Sequence, residues 1–451
     1  MLPESFRTRM QAQLADEFPA FEAALQQPAP VSIRLNPQKP ALNTEGLQPV
    51  PWCEGGFYLP ERPVFTLDPL FQAGAYYVQE ASSMLIAEAV KQHAKLTRSL
   101  RALDLCGAPG GKSTLLASLL SNDSLLVTNE VIRSRVPVLR ENIEKWGYPN
   151  FLISNHDPED FAPLEGFFDL VLVDAPCSGE GLFRRDPGAM NEWSEAAVQL
   201  CAGRQQRILT AAVPLVMEGG LLLYSTCTYN DEENLNNADW LAAQGFEALS
   251  LTLPAEWGIV EKRSNKAVGY QCYPHRVAGE GFFLSIFRRK TGPVFHAPTP
   301  RQFKSIKALP NRQVTAAQAF LQNPAQFELF AKPNGDVMAI PKKLTEPLRH
   351  LDVALRNKGF GLEMGLFKGT DFVPAHALAL STAVTKDVAG VDLNREEALR
   401  YFKKENLVLQ ESVKGWLVAR YEGLNLGWMK GVGTRVNNYL PKDWRIRMEI
   451  E

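Results

Sequence analysis

Residues 101–114 read RALDLCGAPGGKST: a short apolar run, a loop with glycine at 107, 110 and 111, and the start of a helix. A strand, a glycine loop and a helix in succession bring backbone N–H groups and the positive end of a helix dipole to one point, where a polar or anionic ligand can sit. Outward from this junction, strand and helix patterns alternate. FQAGAYYVQEASSMLIAEAVKQ (71–92) reads as a helix ending near Lys91. SLLVTNE (124–130), NFLISNHD (150–157) and FFDLVLVDAP (167–176) read as buried strands. Between them SRVPVLRENIEKWG (134–147) is helical, with an awkward Pro137. SEAAVQLCAGRQQRILTAAVPLVMEGG (194–220) reads as a long helix, with Ser194 as N-cap and Gly219-Gly220 as the stop. GGLLLYSTC (219–227) is another strand, and GYQCYPHRVAGEGFFLSIFRR (269–289) two β-rich pieces around a glycine-rich turn. This alternation predicts an α/β fold: a doubly wound parallel sheet with an antiparallel edge.

The 451 residues, at about 100–200 per domain, predict two to four domains. With 45% apolar and 22% charged residues, a disordered or fibrous chain is excluded. No apolar run approaches the roughly 20 residues of a membrane span. The charged N-terminus lacks the apolar stretch of an export signal. Six cysteines without a C-x-x-C pair form neither a disulfide scaffold nor a zinc pattern. The expectation is a cytoplasmic protein, no membrane, no metal, and a monomer. The net charge of −2 hides an asymmetry: residues 1–300 carry 25 Lys+Arg against 34 Asp+Glu, residues 301–451 carry 23 against 16. A basic rear suits either a polyanion or a solvated face. The tail GWLVARYEGLNLGWMKGVGTRVNNYLPKDWRIRMEI (415–450) interleaves cations with Trp, Tyr and Asn, as base stacking on RNA requires; the core of a small β-barrel has the same composition.

Two chemistries compete for the glycine loop. A Walker A loop needs G-x-x-x-x-G-K-[ST]; Gly111-Lys112-Ser113 supplies the end, but position 106 is Cys and the glycine stands at 107, one residue short. The strand VLVDAP, with Asp174, imitates the second nucleotidase motif. The alternative is a methyl-donor site for S-adenosylmethionine, with backbone donors at the first strand–helix turn and an acid after the second strand for the ribose. Glu130 stands 19 residues past Gly111, and Asp157 after the third strand is positioned for the adenine amino group. Acids recurring at successive strand ends favour the methyl-donor reading.

The fourth strand ends Asp174-Ala175-Pro176-Cys177 and the fifth Ser225-Thr226-Cys227. If these strands are adjacent, both thiols face one crevice. Structural packing accounts for Cys53, Cys201 and Cys272 but poorly for two cysteines at active-edge positions. Carbon 5 of cytosine is a weak nucleophile; a thiolate adding to carbon 6 turns the ring into an enamine whose carbon 5 attacks a methyl sulfonium. Asp174 is located to place a proton at ring nitrogen 3. Which cysteine attacks is left open by this chemistry.

FQAGAYYVQEASSML, LDLCGAPGGKST, TNEVIRSRVPVLRENIEKWG, DLVLVDAPCSGEGLFRRDP, LLLYSTCTYNDEENL and YPHRVAGEGFFLS resemble, in order over residues 71–288, the Nop/Sun family of RNA cytosine-5 methyltransferases, most closely its bacterial branch acting on small-subunit ribosomal RNA. The resemblance implies a Rossmann-like class I methyltransferase sheet at 71–290, behind an N-terminal module at 1–70. It further implies a linker and intermediate RNA-binding segment at 291–390 and a PUA-like RNA-binding domain at 391–451. It makes Cys227 the nucleophile and gives Cys177 a role in product release, with Asp174 and Lys112 beside the target base. It assigns Cys106, Gly107, Ala108, Pro109, Gly110, Gly111, Lys112, Glu130, Arg135, Asp157 and Asp174 to S-adenosylmethionine. Gly107 stands where relatives often carry alanine. The implied partner is 16S ribosomal RNA or the small ribosomal subunit; tRNA, an RNA-binding NTPase and a non-catalytic assembly factor are the alternatives.

Overall fold

The computed structural model describes residues 2–356 and 358–449; residues 1, 357, 450 and 451 lie outside the description. Its centre is a ten-stranded mixed sheet. Five parallel strands form its heart: β1 (Arg101–Asp104), β2 (Leu125–Asn129), β3 (Phe151–Ser154), β4 (Phe168–Asp174) and β5 (Val216–Thr226). They lie in the order 3-2-1-4-5, so the chain reverses direction across the sheet between β1 and β4, and a ligand crevice opens at the carboxyl ends there. β6 (Val268–Cys272) and β7 (Phe282–Arg289) add the expected antiparallel edge, β7 pairing with β5.

Side-chain alternation explains why the sheet is covered on both faces. Leu170, Leu172, Leu221 and Leu223 point to one face, against α1 (Gly111–Leu119) and α2 (Val136–Trp146). Val171, Val173, Leu222 and Tyr224 point to the other, against α3 (Glu195–Ala212). Pro137 is well placed: it stands in the first turn of α2, where its missing N–H would have no partner, and Gly147 closes that helix. Ser194 caps α3 as expected, accepting the Ala197 N–H at 3.1 Å. The stop differs: α3 ends at Ala212, a short turn with Pro214 follows, and β5 begins at Val216, so Gly219-Gly220 lie within the strand.

The helix expected over residues 71–92 forms only at Leu85–His93. Gly74 takes φ +75°, and a Cβ there would lie 1.8 Å from the Lys145 carbonyl oxygen. The chain therefore turns, and Tyr76–Val78, aromatic and β-branched, becomes a strand. It completes a four-stranded antiparallel sheet with Val31–Leu35, Gly56–Leu59 and Gln48–Pro49, so this sheet runs past residue 70. Buried Arg34 fastens it to α1, donating to Thr114 Oγ1 at 2.6 Å and Ser118 Oγ at 3.1 Å, with its guanidinium 4.5 Å from the Trp146 ring.

The segment 291–390 packs onto the central sheet. Lys358–Phe360 pairs antiparallel with β3. Leu348 and Leu351, on helix Thr345–Ala354, bury in the same cluster as Val171, Phe303 and Ile306. A five-stranded antiparallel sheet from Lys307 to Pro374 completes this segment. The last unit is a long hairpin, Val408–Tyr421 with Leu424–Asn438, joined by Gly390–Asp392. Helix Arg395–Phe402 packs on it, capped reciprocally by Asn394 and Glu397. Its aromatics are divided between core and surface, with Tyr439 exposed. Trp428 is buried and donates to the Ala375 carbonyl at 2.7 Å; half-buried Trp416 donates to the Phe372 carbonyl at 3.1 Å.

Because the segment shares the sheet's core, Leu351→Ala is predicted to destabilise the central sheet itself, by about 2–5 kcal/mol. Amide hydrogen exchange of β1 to β5 as a function of urea checks this; unchanged protection of those strands would mean the segment folds independently.

Candidate active site

β1 delivers the glycine loop to the crevice. Asp104, wholly buried, accepts from Ser113 Oγ at 2.6 Å and so ties the strand to the first turn of α1; burial pushes its carboxyl up to about 7. Gly107 is required by close approach: a Cβ would stand 2.2 Å from Thr128 Oγ1, so alanine fits here only with a different neighbour at 128. The cleft above the loop, of about 340 Å³, is lined by Cys106, Gly107, Ala108, Pro109, Gly111, Lys112, Arg135, Asp174 and Cys227. Sequence reasoning had named each of these. Gly110, Glu130, Asp157 and Cys177 are not among its lining residues.

Lys112 reaches across to Asp174, Nζ to Oδ2 at 2.8 Å, and Ser225 donates to the other carboxylate oxygen at 2.8 Å. Burial alone would lower the Lys112 ammonium, but the Asp174 charge and hydrogen bond overcome it and hold the ammonium above its ordinary range. The Phe282 ring lies 5.5 Å from the same nitrogen. A lysine so engaged on a carboxylate, at the switch point of a 3-2-1-4-5 sheet, is not arrayed as a phosphate-loop lysine.

β4 and β5 are neighbours, with Asp174 opposite Ser225, and the loops after them place the Cys177 and Cys227 sulfurs 3.0 Å apart. Cys177 Sγ also accepts the Cys227 backbone N–H at 3.3 Å. The hydrogen bond with Cys227, followed by burial, pushes the Cys177 thiol well above its ordinary range. Cys106 is pushed up likewise, by burial and then by Asp104, Asp174 and Glu130. Two of the three thiols near the cleft are therefore held protonated at neutral pH.

The loops are held by buried carboxylates. Glu233 accepts from Ser178 N at 2.9 Å, Gln205 Nε2 at 2.7 Å and Asn230 Nδ2 at 2.7 Å. Glu180 accepts from Tyr229 N at 2.9 Å, Trp193 Nε1 at 3.0 Å and Arg9 at 2.5 Å. Sequence reasoning missed both, although the second lies in the quoted CSGEG stretch.

Glu130 is buried behind the loop. It accepts the Ile132 N–H at 2.8 Å and stands 3.4 Å from Arg135, which itself holds the Ala108 carbonyl at 2.7 Å. Asp157 is turned elsewhere: it accepts from Arg207 at 2.9 Å and from the Glu159 N–H at 3.1 Å, and the Arg207 bond holds its carboxyl below the usual range. The opposite wall, unread in the sequence, contains Tyr77, Gln79 and Glu80 from the N-terminal sheet, Arg185, and Glu280 before Phe282. Burial, then Glu80, pushes the Glu280 carboxyl up to about 7. The AYYVQE and GEGFF stretches quoted above carried the signal for these residues.

Three family descriptions match the chain in order: the N-terminal domain of 16S rRNA methyltransferase RsmF at residues 2–81, 16S rRNA methyltransferase RsmB/F at 93–288, and the methyltransferase RsmF PUA domain at 389–446. Ribosomal RNA small subunit methyltransferase F of Aliivibrio fischeri is 32% identical over 98% of this chain and 97% of its own length. The protein of that name from Vibrio cholerae serotype O1 is 33% identical with the same coverages. Among solved structures, a methyltransferase homolog protein from Pyrococcus horikoshii superposes with TM-score 0.52 at 29% identity, covering 61% of this chain and 91% of that one. The chain belongs to the ribosomal RNA small subunit methyltransferase F family, with that family's N-terminal, catalytic and PUA regions in sequence.

Proposed function

We propose that this protein transfers a methyl group from S-adenosylmethionine to carbon 5 of a cytosine in 16S ribosomal RNA, through a covalent bond between Cys227 and carbon 6. The observation carrying this reading is the sulfur pair: two thiols 3.0 Å apart at the ends of adjacent parallel strands, beside a Lys112–Asp174 pair. Amino-nitrogen methylation has no use for a thiol.

The residues present fit the donor. Gly111 leaves open a space that a Cβ would fill, 3.1 Å from the Tyr77 ring. The Cys106–Gly111 loop and the start of α1 offer backbone donors, and Arg135 braces the loop at Ala108; Glu130, the carboxylate for ribose hydroxyls, takes that role only by turning from Ile132 and Arg135. Asp157 joins this set only by exchanging its bond to Arg207. When bound, S-adenosylmethionine supplies an electrophilic methyl carbon.

The chain's own groups do the rest. The Cys227 thiolate gives an electron pair to carbon 6, and the carbon 5–carbon 6 double-bond pair moves to carbon 5, which bonds the methyl carbon as the methyl–sulfur bond breaks and its pair stays on the sulfur of the departing neutral thioether. Asp174, steadied by Lys112 and Ser225, shares a proton with nitrogen 3 and so accepts charge that would otherwise build up on the ring. Water takes the carbon 5 proton, the freed carbon–hydrogen pair restores the carbon 5–carbon 6 double bond, and the carbon–sulfur pair returns to Cys227. Cys177, protonated beside it, assists this release. The target base must leave any stack to reach a thiol in the cleft.

Cys227→Ala is expected to lose methylated product by at least about 10³-fold with donor binding intact, measured with labelled donor and calorimetry. Turnover at the normal rate would sink the nucleophile assignment. Cys177→Ala is expected to accumulate an RNA–protein adduct resistant to denaturation; free product without adduct would remove its release role. The raised Cys177 thiol gives a third expectation. Its alkylation should begin only above the ordinary thiol range of about 8.5, and Cys227→Ala, which removes the hydrogen-bonded thiol beside it, should shift that onset to lower pH. Peptide mapping after iodoacetamide pulses reads both onsets; identical curves would contradict the coupling.

A further inference from the structure

No described residue of 301–451, where the positive charge is in excess, lines the cleft, and of the tail's aromatics Trp428 is packed inside, Trp416 half-buried and Tyr439 exposed. The charge is met elsewhere. Two adjoining hollows, of about 600 and 680 Å³, share Gln38 and Thr382 in their walls. The first lies where the N-terminal module, residues 379–386 and the turn of the long hairpin meet. The second runs to Asn122 and Pro149, in the loops entering β2 and β3. Together they form a trench on the rim opposite the catalytic cleft, which sits where the parallel strands end.

Lys39 lines the trench although it is 7% exposed. Its ammonium donates to the carbonyls of Ala73 at 2.9 Å and Lys145 at 2.6 Å. Among the described residues no carboxylate stands within 4.0 Å of it. Burial pushes it down to about 7. An ammonium so buried is held in its charged form by an anion that reaches it. Around it the trench presents Lys386, Arg420, Lys342 and Lys343 against Asp392 and Asp123, five cations to two acids with Lys39 included; Lys343 is ion-paired with Asp123, which leaves the other four cations facing Asp392. Among the described residues Arg420 bonds to Asn425 Oδ1 and the Val388 carbonyl, and Lys386 and Lys342 are exposed. The hydroxyls of Ser381 and Thr382, in the same walls, donate to the Gly147 carbonyl and that of Thr385 to Asp387, so toward a ligand they act as acceptors.

We propose that this trench holds the sugar–phosphate backbone of a segment of the substrate RNA remote from the target cytosine, with a phosphate completing the coordination of Lys39. An extended anion with ribose hydroxyls matches both the charge and the hydroxyl lining; a compact anion would leave most of the trench empty. The inference rests on an RNA substrate and adds a second contact, reached by long RNA and not by a short fragment.

The test compares wild type, the exposed-site variant Lys342→Glu/Lys386→Glu, and Lys39→Met, on full-length 16S rRNA and on a short fragment containing the mapped target. Expected for the double variant is a loss of affinity for long RNA of about tenfold. Its slope of log affinity against log salt should flatten by about 1.4, the two lost phosphate contacts of a single strand. KM on long RNA should rise correspondingly, with kcat and KM on the fragment unchanged. Unchanged affinity and slope on long RNA would overturn the proposal, as would an equal loss on the fragment. Lys39→Met should behave alike wherever its melting curve is native; the double variant decides if it does not. Because affinity is read separately from methylation, a wild type that binds RNA yet makes no 5-methylcytosine would defeat the proposed function and leave the trench testable.

Discussion

Two buried glutamates set the geometry on which the chemistry depends. Glu180 lies in the loop after β4 and Glu233 in the loop after β5, both with no measurable exposure, and each accepts hydrogen bonds from the other's loop, Glu180 from Tyr229 N and Asn230 and Glu233 from Ser178 N. A buried carboxylate is tolerated only while its acceptor sites are filled, and removing one partner of such a group typically costs about 3–5 kcal/mol. The loops therefore cannot move apart without abandoning that charge. Their fixed separation is what brings Cys177 to Cys227. Catalytic groups need placement within a fraction of an ångström, and a lattice of charge-assisted hydrogen bonds supplies it more stiffly than packing alone.

The same lattice makes the N-terminal module part of the site. Arg9, on helix Glu4–Leu14, is the ion partner of Glu180, and Phe6 and Phe21 pack with Phe183, Trp193 and Tyr229 around it. Gln13 holds the Tyr273 hydroxyl at 2.6 Å. On the other side, Arg34 pins the small sheet to α1 and Tyr77 stands against Gly111. A segment that reads as an appendage is thus a wall and a brace: it contributes cleft residues and neutralises the charge that holds the cysteine loops.

Much of this was legible because local signals agreed with each other. Short apolar runs around 101–114 marked β1 to β5, and Ser194 marked the start of α3. Acids and cysteines at strand ends pointed to one crevice. Misreadings arose where distant chain decided the outcome. Residues 71–78 have apolar spacing compatible with a helix, but the Lys145 carbonyl packed against Gly74 forces a turn. Asp157 stands at the expected strand end, yet Arg207, 50 residues on, claims its carboxylate. The prolines near 300 suggest a tether, whereas Phe303 and Ile306 are buried in the sheet's own core.

The rear half shows why composition alone could not choose between a docking face and a solvated one. In the long hairpin residues two apart share a face, so strand alternation does not separate Trp416 from Lys414 or Trp428 from Lys430. Lys430 is instead the cross-strand partner of Trp416, its ammonium 5.2 Å from the ring centre. Burial divides the aromatics: Trp428 is in the core, Trp416 is half-buried and Tyr439 is exposed. Most cations stay at the surface, although Arg34, Lys39 and Lys145 are buried, so a basic excess can gather at seams between units. Lys39 comes from the first module, Lys342 and Lys386 from the intermediate segment and Arg420 from the hairpin, and only the packing of the three brings their charges to one trench.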